Sequence, residues 1–169
     1  MSNNQLADFL AHSVELESEA LERYLEMADT MDIHHNTEVA DFFRRMANEA
    51  RHHLEEVAEY AQGITLPTLR AWEFNWPEAE PPETLSYEAQ HYRMSLRQAM
   101  ELALQNERAA ELFYRSAADK STDEETVRVA TLFADEEHEH GAQLETLIAA
   151  QPINGANLLV EDDEPHMPE

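Results

Sequence analysis

The 169-residue sequence predicts an all-α fold, a four-helix bundle of two helical hairpins joined by a long crossover, and three observations carry that prediction. The chain has only three Gly and is rich in Ala, Leu, Glu and Met, residues that lose little rotamer freedom in a helix. Four stretches repeat apolar residues at spacings of three and four, the pattern of a helix with one buried face. Short loops join the first stretch to the second and the third to the fourth, while a Pro-rich segment separates the two pairs.

The first stretch runs from about Asn4 to Thr30, with Leu6, Leu10, Val14, Leu21, Tyr24 and Ala28 on one stripe. The second, about Thr37 to Gln62, carries Val39, Phe43, Met46, Ala50, Leu54 and Val57 and stops at Gly63, which accepts the left-handed conformation that ends many helices. The third spans about Ser86 to Asp119, through Leu96, Met100, Leu104, Tyr114 and Ala118. The fourth opens with Thr122 and Glu125 spaced as a capping box, continues through Val129, Phe133, Leu144 and Leu147, and ends before Pro152. Residues 64–85 hold four of the seven prolines and both tryptophans, so they read as a crossover whose Trp72, Phe74 and Trp76 anchor it on the bundle. Residues 1–152 form the expected bundle domain, and 153–169 an acidic tail too polar to bury a core of its own.

Composition narrows the chemistry. The absence of Cys rules out a disulfide framework, a thiolate zinc or iron-sulfur centre and a cysteine nucleophile, so any metal must be held by oxygen and imidazole. Thirty-six acidic residues against eleven basic ones give a formal charge of −25, which repels phosphate backbones and anionic membranes and argues against nucleic-acid binding. No apolar run approaches the ~20 residues needed to span a bilayer, and the N-terminal residues lack a basic segment followed by an apolar one. A cytoplasmic location without membrane insertion is the expectation.

An internal repeat sharpens the two-hairpin reading. Glu17, Ala20 and Tyr24 recur ninety positions later as Glu107, Ala110 and Tyr114, and Ala47 and His53 recur eighty-seven later as Ala134 and His140. Related hairpins facing one another place a site on their pseudo-two-fold axis. Seven residues return a helical side chain to within about 20° of its starting direction, so Glu17 lies in line with Leu10 and Tyr24, and Glu107 with Met100 and Tyr114. Two carboxylates therefore face the core from equivalent positions. Ionised carboxylates there are costly unless paired or bound to a cation, and neither stripe carries a Lys or Arg.

The fourth stretch adds Glu137 and His140, a Glu-x-x-His pair flanking the stripe through Phe133 and Leu144. Such a pair is a weak motif alone; with Glu17 and Glu107 it supplies three of the four contributions of a dinuclear carboxylate bundle. The second stretch leaves a choice. Glu49 and His52 form a literal Glu-x-x-His, but the repeat aligns His140 with His53 and Glu137 with Ala50. His53 also lies near the stripe through Met46 and Val57, whereas His52 points round towards Arg45. The expected ligands are accordingly Glu17, Glu49, His53, Glu107, Glu137 and His140, with His52 beside the site or on the surface. Tyr24 and Tyr114 either hydrogen-bond the ligand carboxylates or simply pack, and His91 and Glu111 are candidate accessory groups.

Over about residues 5–150 the chain resembles the ferritin-like superfamily, in particular its rubrerythrin-related branch. The resemblance rests on Glu17-Ser-Glu-Ala-Leu-Glu-Arg-Tyr24, Glu107-Arg-Ala-Ala-Glu-Leu-Phe-Tyr114 and Phe133-Ala-Asp-Glu-Glu137-His-Glu-His140. It implies that these Glu and His positions bind two irons per chain, with manganese or zinc as alternatives, and that the chemistry is oxidation of Fe(II) by O2 or H2O2, or reduction of peroxide. Ala50 stands where the pattern has a ligand Glu, and the cysteine-bound rubredoxin module of full rubrerythrins is absent, which leaves the electron donor unidentified. The expected protein is a non-haem di-iron oxidoreductase, assembled as a homodimer. Two alternatives from other classes are a non-catalytic iron-binding or iron-delivery protein and a metal-free interaction module whose inward carboxyls are protonated.

Overall fold

The computed structural model describes residues 2–69 and 93–152. Four helices follow one another: α1 (Ser2–Ile33), α2 (Thr37–Tyr60), α3 (Leu96–Lys120) and α4 (Glu124–Ala150). No strand occurs among the described residues. The helices pack as two hairpins, α1 on α2 and α3 on α4, and the hairpins close on each other through α1 with α4 and α2 with α3. This is the four-helix bundle that the apolar periodicity predicts.

Local chemistry sets the turns. After α1, His35 adopts φ 64°, and the Asn36 N–H donates to Met31 O at 2.8 Å, a left-handed exit that satisfies a carbonyl the helix leaves free. The Asn36 amide also donates to Met94 O at 2.8 Å, tying this turn to the approach to α3. At the other end, Gln5 of α1 clasps the α3–α4 turn: its Oε1 accepts from Ser121 Oγ and from the Thr122 and Asp123 N–H groups, and its Nε2 donates to Thr122 Oγ1.

Helix ends differ from the sequence reading in several places, beginning with α1, which runs on to Ile33 rather than ending near Thr30. α3 starts at Leu96 rather than near Ser86, because Ser95 and Gln98 form a reciprocal capping box; residues 93–95 are not helical, and 86–92 lie outside the described residues. α4 is capped by Asp123, which accepts from Thr126 N at 3.0 Å, rather than by Thr122, whose hydroxyl is engaged by Gln5. α2 ends at Tyr60, and Gly63, at φ 77°, turns the chain away just beyond it. Leu147, expected on the buried stripe of α4, is 44% exposed. Trp72, Phe74, Trp76, His91, His166 and the acidic tail 153–169 lie outside the described residues.

Two apolar clusters fill the bundle. One gathers Tyr24, Met31, Phe43, Met46, Met100 and Leu144; the other gathers Phe9, Leu10, Leu16, Val57, Tyr114 and Phe133. In the second, Tyr114 meets Phe9 and Phe133 edge-on, at centroid distances of 5.8 and 5.4 Å. Alanines at core positions, among them Ala40, Ala47, Ala99, Ala103, Ala130 and Ala134, are almost fully buried and let the backbones approach. The repeat pair Ala47 and Ala134 belongs to this set, which gives the repeated alanines a packing reason.

Candidate metal centre

Between the two apolar clusters runs a layer of polar side chains, one or two from each helix. α1 contributes Glu17, α3 contributes Glu107 and α4 contributes Glu137, and all three are buried. The cause is the helical period: each carboxylate occupies the inward stripe, so folding the stripe inward buries it. α2 contributes His53 and α4 contributes His140, whose rings stack with centroids 5.0 Å apart and planes 10° apart.

Glu137 is central. Its Oε2 lies 3.0 Å from His53 Nδ1 and its Oε1 lies 3.8 Å from His140 Nδ1. Glu17 Oε2 stands 3.3 Å from His53 Nδ1, and Glu107 Oε1 stands 3.4 Å from His140 Nδ1. Each histidine thus faces one carboxylate of its own and shares Glu137 with the other. His53, Glu137 and His140 each offer a ligand atom within 4.8 Å of the others, close enough to hold one cation in common.

The carboxylates of the layer favour protonated imidazoles. Burial works against a charge on His53, but the Glu137 and Glu17 carboxylates outweigh it and push the imidazole up to about 12. Glu107 and Glu137 raise His140 to about 10 against the opposing effect of burial. Glu107 itself is raised to about 8, first by burial and then by the charge of Glu137. Even so, Glu107 Oε1, Glu137 Oε1 and His140 Nδ1 are buried with no aligned hydrogen bond; the His140 contacts are within ion-pair range but misdirected as hydrogen bonds. Three converging buried atoms without an aligned hydrogen bond are of the types, carboxylate oxygen and imidazole nitrogen, that ligate a cation.

The surrounding residues sort clearly. His53 is inward, its side chain 13% exposed, while His52 is 77% exposed and pairs with Glu55 on the surface. Glu49 is 43% exposed, 3.9 Å from His140 Nδ1, and raised by partial burial; it reaches the layer from the side. Ala50 lines the layer at the position the repeat aligns with Glu137. Tyr114 donates to Glu17 Oε2 at 2.8 Å, and burial followed by the Glu17 charge raises its phenol well above the usual value. The Tyr24 hydroxyl accepts from Asn106 Nδ2 at 3.0 Å. Glu111 faces His138 and Arg115 on the outer side of α3 and α4, His34 and His35 are exposed in the turn, and His12 turns its Nδ1 to Asp8 O.

Three polar residues of this region escaped the sequence reading. Asn106 lies in line with Ala99 and Phe113, so its place on an apolar stripe was a readable signal. Glu136 and Glu56 had no such signal, because glutamates on helix flanks are common. They line a groove of about 480 Å³ between α2 and α4, together with Glu49, Glu59, His53 and His140. Glu136 is held at about 7, first by burial and then by Glu56 opposite. A second groove, about 340 Å³ between the start of α1 and the end of α3, shares no residue with the centre.

Comparison with known proteins places this arrangement among relatives. Residues 8–148 match the family model described as Rubrerythrin. A solved structure of an uncharacterized conserved protein from Magnetospirillum magnetotacticum MS-1 shares 38% sequence identity, over 86% of this chain and 95% of that chain, with a TM-score of 0.68. No curated protein matches the chain. No helix among the described residues is long and apolar enough to cross a membrane.

Proposed function

The chain belongs to the rubrerythrin family, and on that premise we propose that its polar layer binds a pair of iron ions and works as a di-iron oxidoreductase, oxidising Fe(II) with dioxygen or hydrogen peroxide. The observation that carries this reading is Glu137, a buried carboxylate whose two oxygens face the two stacked histidines, Oε2 at 3.0 Å from His53 Nδ1 and Oε1 at 3.8 Å from His140 Nδ1. A carboxylate so placed would hold the metal together with Glu17 and His53 from one hairpin and Glu107 and His140 from the other.

The donor set suits iron. Imidazole and carboxylate together favour iron, manganese or zinc over soft metals, and the sequence offers no thiolate. The chemistry a bound pair supplies is transfer of electrons from Fe(II) to the oxidant. Everything else is the work of the chain: Glu17, Glu107 and Glu137 neutralise the cations, His53 and His140 supply neutral nitrogen once deprotonated, and Tyr114 fixes the orientation of Glu17 through its hydroxyl. The apolar clusters close the layer above and below, and the groove between α2 and α4 leaves Glu49 and His140 partly open to solvent. Electrons that restore Fe(II) would come from a separate donor, since this sequence holds no cysteine for an iron-sulfur or rubredoxin-type group.

Aerobic Fe(II) titration of the metal-free protein tests the reading. The expected result is uptake of about two irons per chain, with oxidation faster than in buffer and lost in Glu137→Ala. A second reading, a non-catalytic iron-binding or iron-delivery protein, is favoured by Ala50, which removes one carboxylate from the layer. One tightly held iron per chain with no reactivity towards dioxygen or peroxide would decide for it.

A further inference from the structure

The groove between the start of α1 and the end of α3 has a volume of about 340 Å³, the size of a site for a small organic molecule. Phe9, Phe113 and Ala117 form its apolar floor, and the His12 ring stands beside Phe113 at a centroid distance of 6.5 Å. Both phenyl rings are more than nine-tenths buried and rest edge-on against Tyr114, at 5.8 and 5.4 Å. The floor is therefore part of the packed core, and its shape is fixed by it.

Most polar groups on the rim are already engaged. Gln5 Nε2 donates to Thr122 Oγ1, Ser121 Oγ donates to Gln5 Oε1, and Thr126 Oγ1 donates to Asp123 Oδ2. Lys120 is different. It is the only lysine in the sequence, it is exposed in the last turn of α3, and among the described residues it has no hydrogen bond or ion pair. Arg23, Arg44, Arg108 and Arg128 all pair with carboxylates. In a chain with 36 acidic residues and 11 basic ones, an ammonium left without a carboxylate at the edge of an aromatic groove is the exception.

We infer that this groove binds a small aromatic acid, one or two rings bearing a single carboxylate or sulfonate, with the rings on Phe9 and Phe113 and the anion towards Lys120. Ring contacts supply the affinity, and Lys120 selects the sign of the charge. Asp8, which lines the groove from α1, repels the anion and so sets which way round the ligand lies. An uncharged aromatic of the same shape keeps the ring contacts and gains nothing from Lys120. The groove shares no residue with the polar layer, so the ligand binds with or without metal.

Fluorescence titration of the full chain with 8-anilinonaphthalene-1-sulfonate, beside its uncharged counterpart N-phenyl-1-naphthylamine, tests the inference. One sulfonate per chain is expected to bind saturably. Lys120→Gln is expected to weaken the sulfonate about fivefold, the effect of one exposed ion pair, and Lys120→Arg to restore it, while neither changes the affinity of the uncharged probe. Ser116→Trp fills the groove from the α3 side and is expected to abolish binding of both probes, with circular dichroism confirming that the variant remains helical. Sulfonate binding that Lys120→Gln leaves unchanged, or that persists in a folded Ser116→Trp chain, overturns the inference. Absence of binding to the wild type also overturns it, the outcome expected if residues 70–92 of the chain itself fill the groove.

Discussion

The imidazole rings of His53 and His140 stack 5.0 Å apart, though both are held protonated in the metal-free protein. Two like charges at that distance repel, and Glu17, Glu107 and Glu137 are what make the arrangement stable. The carboxylates treat protons and metal cations as competitors for one place. At pH 7, loading the centre must therefore expel up to three protons, one each from His53, His140 and Glu107. Proton release on Fe(II) or Zn(II) addition, measured in weakly buffered solution, is expected to exceed one per metal, and affinity is expected to climb steadily between pH 6 and 8. Affinity independent of pH would refute the competition.

The same groups shape the stability of the metal-free chain. The folded His53 and His140 sit at about 12 and about 10 against an ordinary 6.5, so their contribution is complete below about 6.5 and drains away as pH rises towards those values. Glu107, at about 8 against an ordinary 4.5, acts in the same direction: its protonated form suits the fold, and its contribution is lost as pH rises through 8. The thermal midpoint of metal-free protein is expected to be higher at pH 6 than at pH 9. A midpoint that rises over this interval would show that other groups govern the pH response.

Tyr114 holds Glu17 from across the bundle at 2.8 Å, and both groups are buried. Tyr114→Phe keeps the ring contacts with Phe9 and Phe133 and removes only the donor. Loss of a hydrogen bond to a charged acceptor is worth about 1.5–3 kcal/mol, a fall of about 5 °C in the midpoint of the metal-free protein. Calorimetry would show it. A change below about one degree would mean that Glu17 is satisfied without Tyr114.

Gly141 follows His140 in the interior of α4, where glycine weakens a helix. A Cβ there would meet the flexible Arg108 side chain at 3.4 Å and Leu104 Cδ1 at 3.6 Å, ordinary contacts. Gly141→Ala is expected to stabilise the chain by about 0.5–1 kcal/mol in urea unfolding, with iron uptake intact. Destabilisation would indicate that Arg108, which pairs with Glu145, cannot yield.

How legible the molecule was from its sequence varies from element to element. The hairpins were readable because the inward stripes through Leu10, Glu17 and Tyr24, and through Met100, Glu107 and Tyr114, repeat at the helical period. The bodies of the helices followed, but the starts of α3 and α4 did not. Ser95-x-x-Gln98 is a capping signal as strong as Thr122-x-x-Glu125, and choosing between Thr122 and Asp123 depends on Gln5, which is 117 residues away from Thr122. In the centre, direction separated His53 from His52, and direction is what periodicity measures. The side-on reach of Glu49 and the pairing of Glu56 with Glu136 depend on how far α2 stands from α4, a distance that no local pattern encodes.

Position 50 also sets the electrical balance of the layer. A carboxylate there would mirror Glu137; with alanine, Glu17, Glu107, Glu137 and the half-exposed Glu49 would have to offset the proposed pair of divalent cations. Each unit of positive charge gained on oxidation of such a pair would be less well compensated than in a symmetric centre, which would raise the reduction potential. In a redox titration of iron-loaded protein, Ala50→Glu is expected to lower the midpoint potential, and an unchanged value would show that Glu49 already supplies the balance. In a centre loaded as proposed, one neutral side chain among four acidic ones would tilt the metals towards taking electrons rather than giving them.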